Sequence, residues 1–361
     1  MYAGARRLLS AAAKPSLVFA CTTSIVGSQS MQTEGSGLTP ATASFLRDMQ
    51  EGWQKSPPKS IWDITIDEYR GIATSVFDPL AGERADVDYK DVSLDCGSGL
   101  SIPARIYNPA PKKEPASAMI YYPGGAFVAK LGAPHVSISK IAKKTGWVII
   151  VPDCRLAPEY KFPVGVQDAF EVLRWVKSDG VKKYNIDSTK IIVAGDSSGG
   201  NFAALVAIWA RDHNIKLAHQ ILISPIVDLS RSLTSHRSYE TVDILISKDF
   251  IAWAYGHYLP EHFDRKAPMA SPYYAELAGV APTTILMPEF DGIRSDGEAY
   301  SVKLKREGVP TDVIPFKGQI HSFLNARKVL SDGDDPVDVI SNVMKNLERK
   351  HHKTDSPTIS R

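Results

Sequence analysis

Cysteine is scarce in this chain: Cys21, Cys96 and Cys154 are scattered through 361 residues. They are too few and too widely spaced for a structural zinc site or a disulfide framework. An excess of charge is missing as well, since 42 lysines and arginines face 40 aspartates and glutamates, a formal charge of +2. The two signs interleave everywhere except near the ends, so nothing here predicts a nucleic-acid or acidic-surface partner. No apolar run is long enough for a stable membrane span; the run at 17–21 is cut off by Thr22, Thr23 and Ser24. Acids are absent from the first 33 residues, which carry Arg6, Arg7 and Lys14. An export signal, a transit peptide and a plain extension with initiation at Met31 all suit that composition. Residues 1–38 are therefore set apart as a flexible or targeting extension. A plain extension implies a cytoplasmic protein, and a targeting segment an exported or organellar one.

What is present is the make-up of a large folded domain, 43% hydrophobic and 23% charged, long enough for one core with an added lid. Its most informative stretch is 190–201, where a β-branched run enters Gly195-x-Ser197-x-Gly199 and an apolar helical pattern follows. That order spells strand, sharp turn, helix. Glycines two residues either side let the strand and helix approach, while the turn strains the serine and lifts its Oγ clear of the sheet. A serine so placed is a candidate nucleophile.

Such a nucleophile needs a base and an acid, which in this arrangement follow it in the order acid, then histidine. Of the nine histidines, only His321, His351 and His352 follow a plausible acid, and the last two sit in a polar tail. His321 comes after a strand-like 312–316 and a loop at 317–320, which places it at the C-terminal edge of a parallel sheet. For the acid, a buried strand at 283–290 predicts Asp291 at its exit, with Glu289 and Asp296 close by and Asp228 competing from the preceding strand. Gly124 and Gly125, after the apolar run 118–122, let the main chain turn its N–H groups toward a developing oxyanion.

Together these motifs resemble the hormone-sensitive-lipase family of α/β-hydrolases, which includes bacterial short-chain esterases and arylacetamide-deacetylase-like enzymes. The resemblance covers about 38–347. The family's His-Gly-Gly-Gly turn matches Pro123, Gly124, Gly125 and Ala126, and its Gly-Asp-Ser-Ala-Gly-Gly-Asn elbow matches 195–201. Its Asp-Tyr-Arg-Leu-Ala-Pro-Glu box matches 153–159, with further matches at Ser224-Pro225, 258–260, 270–272 and 289–297. The resemblance implies Ser197 as nucleophile, Asp291 as acid and His321 as base. It implies an oxyanion hole at Gly124, Gly125, Ala126 and Ser198, with N–H donors from the last three.

Three positions depart from the family. Pro123 replaces a histidine that braces the oxyanion turn, Ala126 replaces a glycine and so calls for negative φ, and Gly292 replaces a proline and predicts a looser hold on Asp291. By the resemblance no metal or organic cofactor is required. The substrates are small, lipophilic carboxylic esters with short to medium acyl chains. A deacetylase or amidase shares the same machinery, and a ligand-binding homologue lacking catalysis is a further alternative. A homodimer is left open.

The expected fold is α/β, with the α/β-hydrolase arrangement of a mostly parallel sheet flanked by helices, over 39–350. Thr39-Pro40 and the capping box Thr65-x-x-Glu68 predict two helices ahead of any strand. Antiparallel strands are expected at 85–94 and 102–107, a buried strand at 147–152 and a helix over 162–178 that ends at Gly180. An insertion at 228–267, with a helix over 248–258 capped by Ser247, joins 39–78 in a helical cap. Outer helices are expected at 295–307 and 337–347, and 351–361 is expected to form a disordered tail.

Overall fold

The computed structural model describes residues 37–109, 114–233 and 246–354, the last five of these without side chains. Most of the extension at 1–38, the centre of the insertion and the end of the tail thus lie outside the described residues.

Helix α1 (Pro40–Lys55) begins where its sequence asks: Thr39 Oγ1 accepts the N–H of Thr42, and Pro40 occupies the first turn. Helix α2 (Ile66–Ala81) carries the full capping box. Glu68 N donates to Thr65 Oγ1 at 3.2 Å, and Thr65 N donates to the Glu68 carboxylate at 2.9 Å. Strands β1 (Tyr89–Asp95) and β2 (Ser101–Tyr107) form an antiparallel hairpin. The first starts later than the sequence suggests, because the N–H of Ala85 is taken by Ser139 Oγ instead of a strand partner.

The chain then alternates strand and helix: β3 (Ala116–Tyr122), α3 (Pro134–Thr145), β4 (Val148–Pro152), α4 (Val164–Trp175), β5 (Ile186–Asp196), α5 (Ser198–Asp212) and β6 (His219–Ile223). After the insertion with α6 (Lys248–Tyr258) come β7 (Thr283–Phe290), α7 (Arg294–Arg306), β8 (Thr311–Ile320) and α8 (Pro336–Thr354). The eight strands lie in the order β1-β2-β4-β3-β5-β6-β7-β8, parallel from β4 onward. Strands β4 and β6 are buried along their whole length, as a sheet covered by helices on both faces requires. After β3 the chain adds β4 on one side and β5 on the other. The crevice at that reversal, beyond the carboxyl ends of the strands, is where such sheets place their sites.

Three expectations need correction. Gly180 does not end a helix: the chain runs through a π-type stretch (Val176–Gly180) into Val181–Lys183. Gly180 is there for space, since a Cβ would stand 3.1 Å from the Trp175 ring. The stretch 317–320, expected as loop, belongs to β8, which resumes pairing at Phe290↔Ile320 beyond a register shift. Helix α8 continues to Thr354, past the start of the expected disordered tail.

The two cap segments touch. Tyr69 of α2 packs on Phe250 and Trp253 of α6, with centroids 5.5 and 5.1 Å apart. Phe127, just past β3, stacks on Tyr258 at 3.9 Å. Arg70 ties α2 to the sheet side: its guanidinium donates to the carbonyls of Val128 and Ala157 at 2.8 and 3.0 Å and forms a two-bonded pair with Glu159. Arg70→Ala should lower the unfolding free energy by about 1–3 kcal/mol in urea titrations, because two carbonyls lose their donor. Glu159→Gln should cost less than about 1 kcal/mol, since the carboxylate is half exposed. The Arg70 hydrogen bonds hold the Glu159 carboxyl down at about 2. The pair's contribution is therefore complete above the ordinary value of 4.5 and is lost as pH falls toward 2.

Candidate active site

Ser197 stands between β5 and α5 at φ 55°, ψ −118°, a conformation that costs a non-glycine residue on the order of 1–3 kcal/mol. Backbone bonds on both sides hold it there. Its N–H donates to Ile223 O at 2.9 Å, and its carbonyl accepts from Ile226 N at 3.1 Å and Asn201 N at 3.2 Å. The flanking glycines are required by close approach: a Cβ on Gly195 would lie 2.2 Å from Gly199 O, and one on Gly199 1.9 Å from Tyr122 O. Asn201, the last residue of the motif, is fully buried and donates to the carbonyls of Ile226 and Ala270, anchoring the turn from behind.

Asp291 leaves β7 fully buried, and its carboxylate lies 3.0 and 3.1 Å from Nδ1 of His321, which follows β8 directly. Ile293 N donates to the same carboxylate at 2.9 Å, and Arg294 N donates to the Asp291 carbonyl at 3.0 Å. This contact leaves Nε2 of His321 as the ring atom able to serve a hydroxyl. The competing acids are engaged elsewhere. Asp228 binds Ser230 and Ser232 through their hydroxyls and N–H groups, and those bonds hold its carboxyl below the usual range against the opposing effect of burial. Asp296 accepts from the N–H groups of Val227 and Asp228, and Glu289 accepts from Gly318 N across the β8 irregularity.

The turn after β3 brings a correction. Gly124 is no oxyanion donor, because its N–H is spent on Asp196 Oδ1 at 2.8 Å. Gly125 and Ala126 line the cavity beside Ser197, and Ser198 opens α5, where a first-turn N–H has no partner within the helix. Ala126 departs from the expected negative φ: it sits at +54°, with Phe127 at +67°. The strain is offset by bonds from Val128 N and Ala129 N to Gly125 O, from Ala157 N to Phe127 O, and from Arg70 to Val128 O.

Asp196 is a residue that sequence reasoning passed over. Its buried carboxylate accepts from Tyr121 Oη at 2.7 Å, Gly124 N at 2.8 Å and Asn325 Nδ2 at 3.1 Å. It thereby joins the elbow, the oxyanion turn and the loop after His321. These partners are far apart in the chain, so no local pattern announces them.

Ser197, His321, Gly125 and Ala126 share one cavity of about 860 Å³, mouth included, of which about 70 Å³ admits the centre of a water molecule. Its walls are mainly apolar, and both cap segments contribute: Tyr69 and Phe77 from α2, and Phe250, Ile251 and Tyr255 from α6. Among the described residues, no cluster of three or more His, Cys, Asp or Glu side chains is placed to hold a metal.

A protein-family model described as alpha/beta hydrolase fold matches residues 119–325. The chain is 34% identical to an arylesterase of Saccharolobus solfataricus over 74% of its length and 88% of the relative's. It is 28% identical to an ethyl acetate hydrolase of Pseudomonas putida, covering 82% of this chain and 95% of that one. Among solved structures, an esterase of Pyrobaculum calidifontis superposes with a TM-score of 0.73 at 34% identity, over 79% of this chain and 94% of the other. The chain belongs to the hormone-sensitive-lipase-like α/β-hydrolases.

Against that family pattern, Pro123 lines a separate cleft. The bracing expected of a histidine there is provided from within by Asp196. Gly292 does not loosen Asp291, whose carboxylate and carbonyl are both bonded; a Cβ at Gly292 would meet Ile246 O at 2.9 Å. Asp291→Asn should reduce kcat by about 10⁴-fold at neutral pH, since the amide would favour the wrong tautomer of His321. Asp228→Asn, Asp296→Asn and Glu289→Gln should each change kcat by less than about tenfold while lowering the melting temperature, because their bonds go to backbone and serines. Steady-state kinetics with thermal melts on the four variants separates the two outcomes.

Proposed function

We propose that the chain is a serine carboxylesterase acting on small, lipophilic carboxylic esters with short to medium acyl chains. The observation that carries this is the buried Asp291–His321 pair opening into the same apolar cavity as a serine held on a strained strand-to-helix turn. In the mechanism, His321 Nε2 takes the proton of Ser197 Oγ as the oxygen attacks the ester carbonyl, and Asp291 stabilises the imidazolium. The N–H groups of Gly125, Ala126 and Ser198 receive the negative charge on the tetrahedral oxygen. Collapse of the intermediate expels the alcohol, which takes the proton from His321 and leaves an acyl-Ser197 ester. Water, deprotonated by the same nitrogen, then attacks the acyl carbon, releases the carboxylic acid and restores Ser197.

The names of the two curated relatives, an arylesterase and an ethyl acetate hydrolase, support small esters as the substrate class. The small free space in the cavity, about 70 Å³ for the centre of a water molecule, and its aromatic and aliphatic lining support acyl chains that are apolar and not long. No metal or organic cofactor has a place in this scheme.

The test is a panel of 4-nitrophenyl esters from acetyl to palmitoyl, together with an aryl acetamide. Turnover should peak among the shorter chains and fall at least about tenfold by palmitoyl. Ser197→Ala should remove at least about a thousandfold of kcat with an unchanged circular dichroism spectrum. Faster cleavage of the acetamide would make the enzyme a deacetylase, and turnover of none would make it a binding protein.

A further inference from the structure

Backbone strain in the turn after β3 falls on two residues that carry side chains. Ala126 sits at φ +54° and Phe127 at +67°, a region that only glycine enters freely. Val128 N and Ala129 N donate to Gly125 O at 3.0 and 2.9 Å and close the turn on itself. Bonds internal to a turn cannot orient it against the rest of the molecule, so its orientation is set by the groups that grip it from outside.

Those grips lie at its two ends. Ahead of the strained pair, Gly124 N donates to Asp196 Oδ1 at 2.8 Å. On the other side, Phe127 O accepts from Ala157 N at 3.0 Å, and Val128 O accepts from Arg70 Nε at 2.8 Å. Arg70 Nη2 also donates to Ala157 O at 3.0 Å. The guanidinium therefore bridges the carbonyls of Val128 and Ala157, and Ala157 in turn holds the adjacent carbonyl of Phe127. The Phe127 ring, stacked on Tyr258, adds an apolar contact on that side. Gly125 and Ala126 lie between the two grips and line the cavity beside Ser197. Arg70 itself belongs to α2, whose Tyr69 and Phe77 line the same cavity.

We propose that Arg70 is a positioning residue for catalysis: from the cap helix it sets the angle at which the N–H groups of Gly125 and Ala126 meet the tetrahedral oxygen. The proposal rests on the esterase reading above. It gives the work to the two carbonyl contacts and not to the ion pair with Glu159, whose carboxylate is half exposed. Donors aimed at an oxyanion act in the transition state and not on the bound ester, so a tilt of the turn lowers kcat and spares ground-state binding.

Steady-state kinetics and two inhibitors test it on the full chain. With an alkyl trifluoromethyl ketone, Ser197 Oγ bonds to the carbonyl carbon, its proton passes to His321 Nε2, and the carbonyl oxygen becomes an oxyanion that needs those N–H groups. A methyl ketone of the same chain length binds without that addition. Arg70→Ala should lower kcat by about tenfold or more while KM changes less than about threefold. It should raise the inhibition constant of the trifluoromethyl ketone at least about tenfold and leave that of the methyl ketone within about threefold. Glu159→Gln should leave all four quantities within about threefold. The ratio of the two inhibition constants does not depend on the fraction of folded protein, so lost stability alone cannot move it. A ratio within about threefold of the unaltered enzyme's in Arg70→Ala, or one that shifts as far in Glu159→Gln, would overturn the positioning proposal and leave the esterase reading intact. An unaltered enzyme that neither turns over esters nor binds the trifluoromethyl ketone more tightly than the methyl ketone would remove both.

Discussion

The molecule depends on a contact that leaves no room for a side chain: Gly199, in the first turn of α5, lies against the carbonyl of Tyr122 at the end of β3. Two consequences follow from that approach. The elbow is squeezed until Ser197 has only a strained conformation open to it, and the oxyanion turn is brought alongside because it begins one residue after Tyr122. The cost of the strain is spread over bonds from neighbouring strands. Ile223 and Ile226 hold the main chain of Ser197, while Asn201 fastens the start of the helix to Ile226 and Ala270.

Around that contact the polar groups are arranged in two separate sets. Asp291 is committed to His321, and its neighbours in sequence and space, Glu289, Asp296 and Asp228, are committed to backbone and serine donors. Asp196 forms the second set, with Tyr121, Gly124 and Asn325. One carboxylate thus orients the His321 ring, and the other ties the turn at Gly124 to the elbow. Apolar side chains of α2 and α6 line the cavity beside these sets, and a low-dielectric lining strengthens the charge interactions next to it.

Much of this was legible in the chain because the informative features are local. The glycine spacing around Ser197, the capping box at Thr65 and Glu68, the Ser247 cap and the β-branched strand runs each act within a few residues. What escaped was set by distance or by packing. Gly180 reads as a helix stop but is a clearance against Trp175, and nothing in the sequence near Gly124 announces that Asp196, 72 residues away, claims its N–H. The positive φ of Ala126 is imposed by bonds to the turn from Ala157 and Arg70, which no local preference for negative φ can foresee. The latch of Arg70 on Glu159 joins a helix to a turn 89 residues away and could not be read from the helix pattern alone.

This geometry should make Ser197 alone a strong nucleophile among the chain's many serines. Treatment with diisopropyl fluorophosphate, followed by peptide mass spectrometry and an activity assay, tests it most directly. One phosphorylated residue is expected, Ser197, with labelling that rises in step with the loss of esterase activity. Phosphorylation of Ser198 or Ser224 in its place, or loss of activity with Ser197 unmodified, would contradict it.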